Sequence, residues 1–197
     1  MTEQYIYNTE NLINDSTIKI QNEFPAYEVV DKGNISLSSK LDNFDFTDGN
    51  LEPSTIASRL ISTCKQLNIY GLAANQCGLF HRVLVAGAEE EFVAFFNPVV
   101  IEEYGEILLS ETDISNVGLT LKVKRPKGIV VQYQDYSGEP RIVKLEGLTC
   151  RIVCQGIDRL NGVDFTTKVS VFALERAKKA LIKKVKKFVR SNVRLSQ

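Results

Sequence analysis

The chain has 197 residues, 44% of them hydrophobic, which suits one globular domain with a sizeable core. Its 24 basic and 24 acidic residues cancel to a formal net charge of zero, which excludes a protein whose whole surface attracts nucleic acid. No apolar run approaches the length of a membrane span, and the N-terminus has neither a basic start nor an apolar core, so a soluble protein that is not secreted by a signal peptide is expected.

The predicted elements follow in chain order. Residues 1–22 are polar, rich in Asn, Thr and Gln and without clear periodicity, and read as an N-terminal arm. A single domain is expected over 23–197. It opens with an extended lead-in and a turn-rich link, FDFTDGN. Pro53 suits a first helical turn, and Ile56, Leu60, Ile61 and Cys64 recur at helical spacing, which predicts a helix over 51–67. A glycine-rich segment precedes three β-branched and aromatic runs at 82–88, 91–97 and 98–104, read as strands. Further strands are predicted at 119–124, 129–133 and 142–145, the last two joined by a hairpin turn at 135–138. A second helix spans 148–160; Gly156 inside it costs about 1 kcal/mol relative to Ala, and nothing local in the sequence explains that cost. A third, basic helix spans 171–193, with Leu174, Ala177, Leu181, Val185 and Phe188 as its apolar stripe.

Charge and chemistry-bearing residues are unevenly placed. Residues 1–60 hold ten Asp or Glu against four Lys or Arg, whereas 176–197 hold nine Lys or Arg and no acid. Ends of opposite sign point to contacts with other protein subunits, including copies of this chain. No membrane partner and no nucleic-acid partner are expected. Four cysteines, Cys64, Cys77, Cys150 and Cys154, are too few and too irregular for a disulfide framework and read as small buried residues of a reducing compartment. His81 is the only histidine, so no two-His metal site can be built within one subunit.

Three segments carry a resemblance. Tyr70–Gly78, YGLAANQCG, is similar to a GxGLAAxQxG motif; Ser110–Pro126, SETDISNVGLTLKVKRP, aligns without a gap on EGCLSxPGxxxxVxRP; and QGIDRLNG, beginning at Gln155, aligns on HExDHLxG. Together they resemble the peptide deformylases and imply that family's α+β fold, with mixed and antiparallel sheets around a central helix and a C-terminal amphipathic helix. The resemblance also implies a divalent ion held by a Cys and two His, with a Glu handling the proton of the metal-bound water. Those places read Asp113, Gln155, Arg159 and Gly156. Gln76 and Ile114 match the residues that hold the substrate carbonyl oxygen, the first by its amide and the second by its backbone N–H.

From these replacements no metal, no cofactor and no catalytic residue are expected, and the chain reads as an inactive deformylase-like protein. The GLAANQCG form and the lysine-rich tail resemble deformylase-like proteins of bacteriophages, which implies a structural or binding component of a virion, or of the host cytoplasm. The alternatives are a pocket that binds N-terminal peptides without cleaving them and a residual metal-dependent deformylase. Because the resemblance puts Asp113 and Arg159 on two ligand positions of one ion and their charges are opposite, the guanidinium is expected to pair with the carboxylate, directly or with Gln155 bridging; the alternative is that Arg159 turns to solvent and Asp113 caps a turn.

Overall fold

The computed structural model describes residues 17–18, 24–50, 52–89 and 91–195. In chain order its elements are β1 (Thr17–Ile18), α1 (Pro53–Leu67), β2 (Gly71–Ala73), β3 (Val83–Ala88), β4 (Glu91–Tyr104), β5 (Ile107–Thr112), β6 (Thr120–Arg125), β7 (Gly128–Gln134), β8 (Pro140–Glu146), α2 (Gly147–Leu160) and α3 (Val171–Leu195). The architecture is mixed α+β, as expected. The main sheet runs β2-β3-β4-β7-β8 with β1 added on β4, and every pairing is antiparallel; β5 and β6 form a separate two-stranded arm. The expected polar arm at 1–22 lies outside the described residues except for β1, which pairs with Phe92 and Val93.

The apolar run of β3 is buried on both faces. Leu84 and Ala86 meet α2, while Val83 and Val85 meet α1. Cys150, Val153, Cys154, Ile157 and Leu160 supply the inner face of α2 at helical spacing, and Ile56, Ala57, Leu60, Ile61 and Cys64 do the same for α1. Each fully buried aliphatic side chain of this kind stabilises by about 1.5–3 kcal/mol. A third cluster joins the β5–β6 arm, through Leu119, Leu121 and Val123, to Phe165 and to Leu174, Ala177 and Leu181 of α3.

One difference from the predicted elements has a clear cause. The runs at 91–97 and 98–104 are not two strands but one, β4, 14 residues long. Proline within a strand requires an irregularity, and here the register shifts between Phe96 and Val99 and again between Val100 and Glu102. Asn97 adopts a left-handed backbone (φ 51°). Its side chain ties the irregularity to the lead-in segment and to β7, accepting from Phe44 N (2.6 Å) and donating to Phe44 O (3.0 Å) and Gln134 Oε1 (2.8 Å).

Candidate functional site

Two glycines set how closely α2 can lie on the sheet. A Cβ on Gly71 would stand 2.3 Å from Ile152 Cγ2 and 3.0 Å from Val85 O, so β2 approaches α2 only because that position has no side chain. A Cβ on Gly156 would stand 2.9 Å from Leu84 Cδ2. The glycine that was unexplained within its helix is thus explained by its neighbour: β3 places the buried Leu84 where a side chain at 156 would begin.

At the polar end of this contact lie Gln76, Asp113, Gln155 and Arg159. Asp113 caps the short 3-10 turn Ile114–Asn116, its Oδ1 accepting from Ser115 N at 2.8 Å. Arg159, in the last turn of α2, donates from Nε to Asp113 Oδ2 at 2.9 Å. Its Nη2 lies 2.8 Å from Asp113 Oδ1 and 3.0 Å from Asp164 Oδ2. Those two contacts are within ion-pair distance but off the hydrogen-bond direction, so only the Nε bond is directed. The side chains of Arg159 and Asp113 are 2% and 1% exposed. Gln155 meets the same carboxylate, donating from Nε2 to Thr112 O (2.9 Å) and Asp113 Oδ2 (3.3 Å). The expected Asp113–Arg159 pair is present in its direct form.

Burial alone would lower the affinity of Arg159 for its proton, but the hydrogen bond and charge of Asp113 and the charge of Asp164 outweigh it and raise the pKa. The guanidinium therefore stays charged. Burial likewise pushes Asp164 up, yet hydrogen bonds from Thr166 and Asn116 and the charge of Arg159 win, holding it down at about 2. Asp164 was not singled out from the sequence. Its local signal was available, since an Asp two residues before Thr166 is a capping pattern, and its Oδ1 does accept from Thr166 N at 2.8 Å.

A second buried network lies beside the first. Glu111 accepts from Arg125 through both oxygens (2.9 and 3.0 Å) and from Arg151 Nη2 (2.7 Å). Arg125 also pairs with Asp158, which in turn meets Lys168 Nζ at 2.9 Å. Arg82 is buried and donates to Leu160 O, Asn161 Oδ1 and Pro98 O, placing a cation at the C-terminal end of the α2 dipole.

Between β2, the 112–118 segment and α2 opens a cleft of about 520 Å³. Ile69, Leu72, Ile114, Val117, Leu148 and Ile152 give it an apolar wall; Gln76, Asp113 and Gln155 form its polar end. Gln76 is positioned by Ala73 N, which donates to its Oε1 at 3.0 Å, while its Nε2 has only long contacts to Asp113 Oδ2 (3.5 Å) and Ser115 Oγ (3.4 Å). That loosely held N–H is the natural donor for a bound carbonyl. His81 is elsewhere, edge-on to Phe44, with burial lowering its pKa. All four cysteines are free thiols. Burial pushes Cys77 up to about 12, so it is no ready nucleophile. Among the described residues no cluster of three His, Cys, Asp or Glu could hold a metal ion.

The family model described as polypeptide deformylase matches residues 26–174 of this chain. A peptide deformylase of Thermoanaerobacter pseudethanolicus is 36% identical over 139 residues, covering 71% of this chain and 87% of the relative. That of Caldanaerobacter subterraneus is 35% identical over 126 residues, covering 64% and 79%. The crystal structure of peptide deformylase from Thermus thermophilus superposes with a TM-score of 0.73 at 28% identity, covering 84% of this chain and 99% of the other. These likenesses correct two expectations. The relatives are bacterial proteins named as an enzyme, so neither an inactive, non-enzymatic chain nor a structural component of a bacteriophage or virion is upheld. A replaced ligand set bears on one way of activating water at a few positions, whereas the likeness extends over most of the domain.

Proposed function

Since the chain belongs to the polypeptide deformylase family, we propose that its cleft is the site of an enzyme acting on the N-terminal end of peptides, with an N-formyl peptide as substrate. The observation that carries this reading is the cleft itself: an apolar wall that ends at the loosely held donor of Gln76. The wall takes an apolar side chain, and the polar end takes the adjoining amide. Gln76 Nε2 would turn from its long contacts to the carbonyl oxygen, and Ile114 lines the same cleft.

The ion implied by the family resemblance is a separate matter. Its ligand positions read Asp113, Gln155 and Arg159, and that of the Glu reads Gly156. These residues do not fit a divalent cation. One of them is a guanidinium that cannot be deprotonated and is already seated between two carboxylates. Gln155 turns its Nε2, not its amide oxygen, toward Asp113. No step of this reading is therefore routed through a metal. What the chain's own residues supply is binding and orientation: the wall seats the side chain, Gln76 fixes the carbonyl, and Asp113 holds Gln155 and Arg159 in place.

Formate release from an N-formylmethionyl tripeptide by the purified full chain, measured beside calorimetric binding of the same peptide, tests the reading. Release above the enzyme-free blank supports it. Binding without release overturns the reaction, and the absence of both overturns the site.

A further inference from the structure

We propose that Arg159 is a built-in cation behind the polar end of this cleft, a positioning residue that does for the architecture what a bound ion would do. The inference rests on where the cleft lies and not on the reaction there, so it stands or falls apart from the formate assay. Asp113 and Asp164 face the same buried space from different segments, one ending the β5 arm and the other following α2. Two carboxylates so placed repel each other unless a cation sits between them. Arg159 Nη2 lies 2.8 Å from one and 3.0 Å from the other, and its Nε donates to the first. One guanidinium thus joins the arm, the helix and the turn after it. The Asp113 it fixes also accepts from Gln155 and, at longer range, from Gln76, so the polar end of the cleft is set through the same ion pair. The neighbouring space is filled as well, since Leu84 occupies the surface of α2 at Gly156. A guanidinium is suited to this because it carries fixed charge and several donors in one plane and is weakly hydrated, which reduces the cost of burying it.

The wild-type protein is assayed for metal content and for its Tm with and without a chelator. We expect metal well below one equivalent and an unchanged Tm; one tightly bound equivalent, or a Tm lowered by the chelator, overturns the proposal. Arg159→Met removes the cation and keeps the stem, and should lower Tm by about 10 °C. Millimolar Mn²⁺ should restore part of that loss, because the two carboxylates then lack a counter-charge, while leaving the wild-type Tm unmoved. Adding Asp113→Asn to Arg159→Met should abolish the rescue. An Arg159→Met protein as stable as wild type, or one that Mn²⁺ does not rescue, overturns the proposal. If Arg159→Met does not fold, Arg159→Gln, which also removes the charge but keeps a polar side chain, takes its place in the same Mn²⁺ titration together with the wild-type measurements.

Discussion

At residue 156 two opposing effects can be compared. Gly156→Ala gains about 1 kcal/mol of helix propensity, but its Cβ would lie 2.9 Å from Cδ2 and 3.4 Å from Cβ and Cγ of a leucine that is 1% exposed. Overpacking of that kind costs about 1–3 kcal/mol. Gly156→Ala is therefore expected to be neutral or destabilising by up to about 2 kcal/mol by urea unfolding; a clear stabilisation would show that Leu84 yields freely. Asp164 gives a pH prediction. Its folded pKa is about 2 against an ordinary 3.8, so the folded state favours the ionised form and the contribution is fully present above pH 4. It is lost as pH falls from about 4 to 2. With its side chain 26% exposed, solvent screening reduces the contribution to about 1–2 kcal/mol. Asp164→Asn should flatten that acid limb, and an unchanged limb would place the low pKa elsewhere.

Between elements, the β5–β6 arm is held to α2 by charge as much as by packing. Glu111 on β5 meets Arg125 on β6 and Arg151 on α2, and Arg125 reaches Asp158 in the last turn of α2. Buried pairs contribute little net stability when complete, because desolvation offsets the attraction, yet removing one partner leaves charge buried without compensation. Glu111→Gln should thus cost about 3–5 kcal/mol in chemical denaturation. A loss under 1 kcal/mol would mean that water or a shifted side chain takes over for the carboxylate.

Across the whole molecule, α3 divides into a docked and an exposed half. Leu174, Ala177 and Leu181 pack on the β5–β6 arm and Phe165, whereas Ile182, Val185, Phe188 and Val189 are each more than half exposed. Deleting 182–197 should leave Tm nearly unchanged, while deleting 171–197 uncovers Leu119 and Phe165 and should cost about 4 kcal/mol at roughly 1.5–3 kcal/mol per buried aliphatic side chain. Equal losses from the two deletions would show that the exposed half is also seated.

Periodicity and turn chemistry are local, so the three helices, the apolar strands and the hairpin at 135–138 were legible from residues a few positions apart. The resemblance that puts Asp113 and Arg159 on two ligand positions of one ion, together with their opposite charges, also made their pairing readable, although 46 positions separate them. Other features were decided only in three dimensions. Asn97 lets one strand run through a proline by bonding to Phe44, 53 residues away; Gly156 exists for Leu84; and Asp164 becomes part of the site because Arg159 reaches it. Each depends on a contact between distant segments, which no local pattern encodes. The sequence determined which charges and side chains were present. Tertiary packing decided which of them face the same buried space, where low dielectric and close distance turn a guanidinium and two carboxylates into one unit.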